Sequence, residues 1–127
     1  MAVTHVASVR SAIAEVVRAD ANGGSQCTLV VGTSSLSGET GVLVKINLAD
    51  FGAASGPTIT SASNTNSGTA TGTGTAAIAE VRDDPTGNVV FSGSVGVGSG
   101  DVQLSSTSIE TDDVVTLTAD VTYTAPL

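Results

Sequence analysis

Residues able to act as catalytic nucleophiles or bases are scarce in this sequence. His5 is its one histidine and Cys27 its one cysteine. A serine or cysteine nucleophile needs a positioned imidazole or a basic neighbour to activate it, and His5 lies in a segment that is expected to fray. We therefore predict no catalytic residues and no enzymatic activity. Cys27 is predicted to be a small buried hydrophobe at the start of a strand.

Aspartates in predicted turns are the other candidates for chemistry, as ligands of a hard cation. Loop carboxylates bind Ca²⁺, but these lack the spacing of an EF-hand or a calcium-binding repeat, and one Cys with one His cannot build a zinc site. Acid pairs that hydrolyse glycosides normally lie beside aromatic platforms, and the chain has no Trp, one Tyr and two Phe. We expect solvated loop acids, no metal and no cofactor, with an adventitious or stabilising Ca²⁺ site as the open alternative. The acids are Asp83, Asp84, Asp101, Asp112 and Asp113.

Length and charge narrow the class of protein further. The 127 residues include 12 acidic and 4 basic ones, for a net charge of −8, and this length suits a single domain over residues 1–127. So few basic residues cannot neutralise a phosphate backbone, which excludes nucleic acid as a partner. No apolar run is long enough to span a membrane, and residues 1–10 lack the pattern of a secretory signal.

Residues 4–22 form the one predicted helix. Thr4 is expected to cap its start and Asn22, followed by two glycines, to end it. A short helix is marginal alone, so its apolar stripe must be covered. The stripe contacts another subunit or shell protein, or it covers an edge or face of the β-domain, and both alternatives stay open. We predict the first and name as interface residues the members of this apolar stripe, which are Val6, Val9, Ile13, Val16 and Val17.

From residue 27 onward the apolar residues recur with a period of two, which is typical of strands. The chain is also rich in Thr, Ser and Gly, with 18, 16 and 15 of each, as in β-structure with many turns. Residues 83–88, with Pro85 and Gly87, predict a hairpin turn. We therefore predict a mainly β, antiparallel β-sandwich or jelly-roll-like domain over residues 27–127. The predicted strands are 27–31, 42–48, 57–63, 73–82, 89–95, 102–105 and 114–124, with 32–41 as a turn and 64–72 as a loop.

Behind the helix, five segments follow one another in a recognisable order. They read TLVV (28–31), GVLVKINLADFGAAS (41–55), GTAA (74–77) continuing to Asp83, VVFSGSVG (89–96) and GDVQLSSTSI (100–109). This order resembles a family of small virion structural proteins of tailed phages, and the resemblance covers nearly the whole chain. The family's aromatic after its Gly-Thr-Ala segment is Ala77 or Ile78 here, and the tyrosine of its first strand is replaced near Val31. The resemblance carries no active-site residue.

What the resemblance implies is a structural role on a phage particle. The leading expectation is a capsid decoration (cement) protein, made in the host cytoplasm and located on the capsid surface of the virion. Its partners would be the major capsid protein and copies of itself, as a homo-oligomeric dimer or trimer. One alternative is a tail or neck component, such as a fibre base or adaptor. An alternative of a different class, which comes from the predicted jelly-roll-like fold because such domains often bind glycans, is a glycan-binding attachment module. The scarcity of aromatic residues argues against it.

Overall fold

The structure, a computed structural model, describes residues 3–24, 26–62, 66–84 and 87–126. It is mainly β, with 46% of the described residues in strands and bridges and 13% in helix. Helix α1 (Ala7–Ala21) precedes all the strands. The strands of the described residues are β1 (Thr28–Ser37), β2 (Thr40–Asn47), β3 (Thr58–Ser61), β4 (Ser67–Thr69), β5 (Gly74–Thr75), β6 (Ile78–Arg82), β7 (Val89–Gly96), β8 (Val102–Gln103), β9 (Ser108–Ile109), β10 (Val114–Thr116) and β11 (Val121–Thr124).

The strands form one curled sheet of five strands and several small antiparallel pairs. The five-stranded sheet has the order β2-β1-β6-β7-β8, antiparallel except between β7 and β8. The pairs are β10-β4, β11-β3 and β5-β9. The predicted fold class, a mainly β sandwich-like domain with one helix near the N-terminus, is confirmed. A cluster of buried apolar side chains joins the sheet to the pairs. It includes Leu29, Val44 and Ile46 of the large sheet, Ile59 of β3, Val121 of β11, and Leu104 and Leu117, which form an isolated bridge.

The predicted hairpin between the third and fourth strands of the large sheet is present. β6 and β7 pair in antiparallel register, with Ile78 opposite Ser94 and Val81 opposite Phe91. Asp83 Oδ1 accepts a hydrogen bond from the Asn88 N–H, and the Asp83 N–H donates to the Asn88 carbonyl oxygen. The Gly87 N–H donates to the Asp84 carbonyl oxygen. Pro85 and Thr86 lie outside the described residues.

The first hairpin is longer than predicted. The segment 32–41, predicted as a turn, is mostly strand, because β1 continues to Ser37 and β2 begins at Thr40. The turn itself is Gly38-Glu39, and Gly38 has a φ of 58°, which favours glycine. Serines and threonines are as compatible with a paired strand as with a turn, so composition alone placed the turn too broadly.

Other expectations also differ from the structure. The predicted strand 114–124 is divided into β10 and β11, which pair with different partners, β4 and β3. Its predicted alternation is nevertheless correct, with Val115, Leu117 and Val121 buried. Residues 64 and 65 of the predicted loop 64–72 lie outside the described residues, and the rest of that segment contains β4. A side chain at Gly68 would collide with the Lys45 carbonyl oxygen. The glycine therefore lets β4 lie close against β2, a packing relation that no local pattern reveals.

Candidate functional site

Helix α1 is held on the β-domain by polar side chains. Arg10 Nη2 donates a hydrogen bond to the Ala125 carbonyl oxygen at 3.0 Å. The Ala54 N–H donates to Glu15 Oε1 at 2.6 Å, and Ser11 Oγ donates to the Gly56 carbonyl oxygen at 2.7 Å. These bonds attach the helix to the connection between β2 and β3 and to the segment after β11.

The end of the helix is attached to the same connection through one backbone position. Arg18 Nε and Asn22 Nδ2 both donate to the Phe51 carbonyl oxygen, at 3.1 and 3.0 Å. The Phe51 N–H donates back to Asn22 Oδ1 at 2.9 Å. Between these polar anchors the helix buries Ala14 and Ala21, whose small side chains let its axis approach the β-domain closely.

The ends of the helix differ in how well the sequence predicted them. Asn22 is the C-cap, as predicted, and its backbone N–H donates to the Arg18 carbonyl oxygen, while the Gly23 N–H donates to the Asp20 carbonyl oxygen. The expectation that Thr4 caps the start is wrong, because the helix begins at Ala7 with Val6 as N-cap and no side-chain cap bond. Val6 instead accepts the first helical bonds through its carbonyl oxygen.

The apolar stripe lies beside the helix face that contacts the β-domain, and most of the stripe is turned away from that domain. Val6, Val9 and Val16 are 66%, 45% and 70% exposed. Ile13 is half-buried, and Val17 is half-buried against the core. Residues 10, 14, 18 and 21 share one helix face, and the stripe follows the neighbouring one. Of the two alternatives for the stripe, covering the β-domain accounts for Val17 but leaves three valines in solvent.

The electrostatics of the helix differ from those of the rest of the chain. The helix carries two arginines, Glu15 and Asp20, so its formal charge is zero and the net charge of −8 belongs to the β-domain. The Ala54 N–H lowers the pKa of Glu15, and the nearby Arg18, 3.0 Å from Glu15, lowers it further. The exposed valines therefore lie on the least acidic part of the surface.

The residues considered for catalysis are not brought together. Cys27 is buried, and burial raises its pKa to about 11, with the negative charges of Asp50 and Asp83 adding to the effect. His5 is exposed, and no hydrogen bond among the described residues joins it to Cys27. A thiol with so high a pKa holds its proton at neutral pH and is a poor nucleophile.

The turn aspartates cap backbone groups. Asp83 Oδ1 accepts from the Asn88 N–H, and Asp113 Oδ2 from the Glu110 N–H, both at 2.9 Å. Asp101 Oδ2 accepts from the Ser94 N–H at 2.9 Å and from Ser94 Oγ at 3.1 Å. Asp112 occupies a turn with a φ of 77°. Within the described residues, no group of three or more His, Cys, Asp or Glu side chains could hold a metal ion.

An ion cluster that the sequence did not predict lies under the first hairpin. Arg82 is only 2% exposed, and its Nη2 donates to Glu80 Oε1 and to the Gly38 carbonyl oxygen, both at 2.7 Å. Arg82 Nη1 lies 3.5 Å from Glu39, which also pairs with Lys45 at 2.9 Å. The hydrogen bond from Lys45 lowers the pKa of Glu39. The cluster holds the turn at Gly38 against β6.

All three aromatic side chains of the chain lie together, although 40 and 32 positions separate them in sequence. The ring centroids of Phe51 and Phe91 are 5.9 Å apart in an edge-to-face arrangement, and those of Phe91 and Tyr123 are 5.2 Å apart. Phe91 and Tyr123 line a cavity of about 200 Å³ between β7 and β11. The sequence did not predict that these few aromatic residues lie together, because their contacts form only in the folded chain.

Comparison of the chain with protein-family models, with curated proteins and with solved structures finds no match. In the part of the chain that the structure describes, no helix has the length and apolar character needed to cross a membrane.

Proposed function

We propose that this chain is a non-enzymatic structural protein of a tailed-phage virion, and specifically a decoration (cement) protein of the head. It would bind the major capsid protein at the outer surface of the shell and stabilise the joints between subunits. The observation that carries the proposal is the exposed part of the apolar stripe, formed by Val6, Val9 and Val16. The resemblance of the five sequence segments to phage virion proteins supports the same class.

The way in which the helix is attached suits an interface. Hydrogen bonds from Arg10, Arg18 and Asn22 hold its inner side, so a partner on the outer side meets a helix that is already positioned. Binding then requires little ordering of the chain, which lowers its entropic cost. The exposed patch is small, and a single contact of this size is weak. A lattice of identical sites multiplies such contacts, as decoration requires.

The charge distribution supports the same orientation on a shell. A net charge of −8, carried by the β-domain, keeps free copies soluble and apart. The helix, whose formal charges cancel, is the part that approaches a partner, or a second copy in a dimer or trimer, without that repulsion. The acidic β-domain would then face solvent in the assembled virion.

A tail or neck component, such as a fibre base or adaptor, is the second candidate, because the same exposed stripe would serve a contact there. The two positions differ in symmetry. A cryo-electron-microscopy reconstruction of the parent virion separates them, since a decoration protein recurs over the shell at local twofold or threefold positions. Density confined to the tail or portal vertex would replace the first candidate by the second. If mass spectrometry detects no copies of this chain in purified virions, both candidates are overturned.

Valine substitutions test which surface makes the contact. Particles are prepared without the chain and mixed with the purified protein, and bound copies are counted after sedimentation. The double variant Val9→Ser/Val16→Ser should lose binding, whereas Val97→Ser, which changes an equally exposed valine on the β-domain, should retain it. Equal binding by both variants would place the contact elsewhere than on the stripe.

A further inference from the structure

We propose that the cavity between β7 and β11 is a binding site for one ring of a neutral saccharide. This inference is independent of the role on a virion proposed above, and each can fail without the other. The floor of the cavity is apolar and comes from the large sheet and β11. It is formed by Leu29, Ala79, Val81, Val102 and Val121.

The aromatic wall of the cavity is positioned before any ligand arrives. Phe51, which is buried, packs edge-to-face against Phe91, and Phe91 in turn packs against Tyr123. Phe91 and Tyr123 are half-buried and both line the cavity. The electron-rich face of an aromatic ring attracts the weakly positive C–H groups on one face of a pyranose. A wall of this kind binds a sugar ring in a fixed orientation.

A carboxylate at the rim of the cavity can accept hydrogen bonds from the hydroxyl groups of a sugar. Asp101 lines the cavity, and its Oδ2 is held by the Ser94 N–H and Oγ. Its Oδ1 accepts no hydrogen bond from the described residues, so it can accept hydroxyl donors. Gly93 makes this position possible, because a Cβ there would lie 2.8 Å from the Asp101 Cβ.

Backbone groups of β11 complete the rim. The Gly52 N–H donates to the Thr60 carbonyl oxygen from the outer side of β3, so Thr60 and its partner Thr122 form a non-hydrogen-bonded pair of the β3-β11 ladder. The Thr122 N–H and C=O therefore point away from β3, and Thr122 lines the cavity together with Thr124 and Ser92. These groups can donate to and accept from sugar hydroxyls.

The chemistry of the cavity selects the class of ligand. A volume of about 200 Å³ is below that of pockets for drug-sized molecules, so it suits one ring. The Asp101 carboxylate and a net charge of −8 disfavour anions such as phosphates, sulfates and acidic sugars. A purely apolar ligand would leave the carboxylate and the Thr122 backbone desolvated without a partner. A neutral hydroxylated ring satisfies both the floor and the rim.

Tyrosine fluorescence tests this proposal, because Tyr123 is the one tyrosine of a chain without tryptophan. Glucose, galactose, mannose and N-acetylglucosamine are each titrated into the full chain, and glucuronate is the anionic comparison. We expect a saturable change in Tyr123 emission with at least one neutral sugar, in the millimolar range, and none with glucuronate. Amide shifts in NMR spectra of the same samples should centre on β7, β11 and Asp101.

Variants identify the groups that bind. Asp101→Asn keeps an oxygen that can accept from Ser94 but removes the charge, and it should weaken sugar binding about tenfold. Asp112→Asn makes the same change at an exposed turn outside the cavity and should leave binding unchanged. The proposal is overturned if no neutral sugar gives a saturable change, or if the amide shifts lie away from the cavity. Equal sugar affinity of Asp101→Asn and the unmodified chain would also overturn it. If Asp101→Asn does not fold, the positions of the amide shifts in the unmodified chain test the proposal instead.

Discussion

Asn22 and Phe51 are joined by two hydrogen bonds in opposite directions, from Asn22 Nδ2 to the Phe51 carbonyl oxygen at 3.0 Å and from the Phe51 N–H to Asn22 Oδ1 at 2.9 Å. One side-chain amide thus satisfies both backbone groups of a residue in the connection after β2. Because Asn22 is also the C-cap of the helix, this pair fixes where the helix ends on the β-domain and, with it, the direction in which the apolar stripe faces.

Loss of this pair should destabilise the fold. Asn22→Ala removes two partly buried hydrogen bonds, and we expect it to lower the free energy of unfolding by about 2 kcal/mol. The measurement is the midpoint of urea unfolding, followed by circular dichroism. Asn47→Ala, at an exposed position of β2, is the matched control and should change the free energy by no more than about 0.5 kcal/mol. Similar losses in both variants would contradict the role assigned to the pair.

Two adjacent valines of the apolar stripe should respond differently to the same change. Val17 packs against the core, so Val17→Ser should lower the free energy of unfolding by about 1 kcal/mol. Val16 is exposed, and Val16→Ser should alter it by less than about 0.5 kcal/mol. Thermal unfolding of the two variants side by side checks this. A large loss in Val16→Ser would mean that the β-domain covers this valine.

Removal of the buried guanidinium should be costly. Arg82→Met leaves Glu80 facing an apolar side chain, and breaking a buried pair in this way should lower the free energy of unfolding by about 3 kcal/mol. The double variant Arg82→Met/Glu80→Met should recover part of the loss, because no carboxylate is then left without its cation. Lys45→Met, which breaks the more exposed pair with Glu39, should cost about 0.5 kcal/mol. No recovery in the double variant would show that the loss comes from the Gly38 bond instead.

Glu15 should make part of the stability dependent on pH. Its pKa is lowered in the folded chain from an ordinary value of 4.5, first by the Ala54 N–H and then by Arg18. The sign follows from linkage: the carboxylate stabilises the fold above the ordinary pKa, and this stabilisation is lost as the pH falls below about 4.5 through the lowered value. Urea unfolding of Glu15→Gln and the unmodified chain across this range should show a shallower acid dependence in the variant. Parallel curves would contradict the assignment.

Cys27 should be unreactive in the folded protein. With a pKa of about 11, only about one thiol in a thousand is ionised at pH 8, and the side chain is buried. Iodoacetamide labelling at pH 8, followed by mass spectrometry, should therefore be slow in buffer and approach the rate of a free thiol in denaturing urea. Rapid labelling in buffer would mean that the strand start at Cys27 opens readily.

Local patterns in the sequence were sufficient for much of the fold. The alternation of Val115, Leu117 and Val121 predicted the buried face of both C-terminal strands, and the turn residues of 83–88 between two predicted strands predicted the β6-β7 hairpin. Asn22 predicted the end of the helix. Each of these depends on neighbours a few residues away, because side-chain direction follows the backbone period and turns require particular backbone angles.

Those local patterns did not predict which strands pair with one another. An alternating run reports which side chains are buried but not which strand they pair with, so the division of 114–124 between β4 and β3 did not follow from it. In the same way, threonine- and serine-rich segments form strands or loops according to what lies beside them, as β4 does next to the Lys45 carbonyl oxygen.

The sequence by itself determined the mainly β class, the single helix, the acidic character and the poverty in catalytic side chains. Only the tertiary structure decided that the helix docks through Arg10, Arg18 and Asn22 and leaves most of its valines exposed. It also decided that Arg82 is buried and that the three aromatic rings meet near Asp101. The physical reason is that these features join positions far apart in the chain. Their free energy comes from burial and hydrogen bonds that exist only when the whole chain has packed.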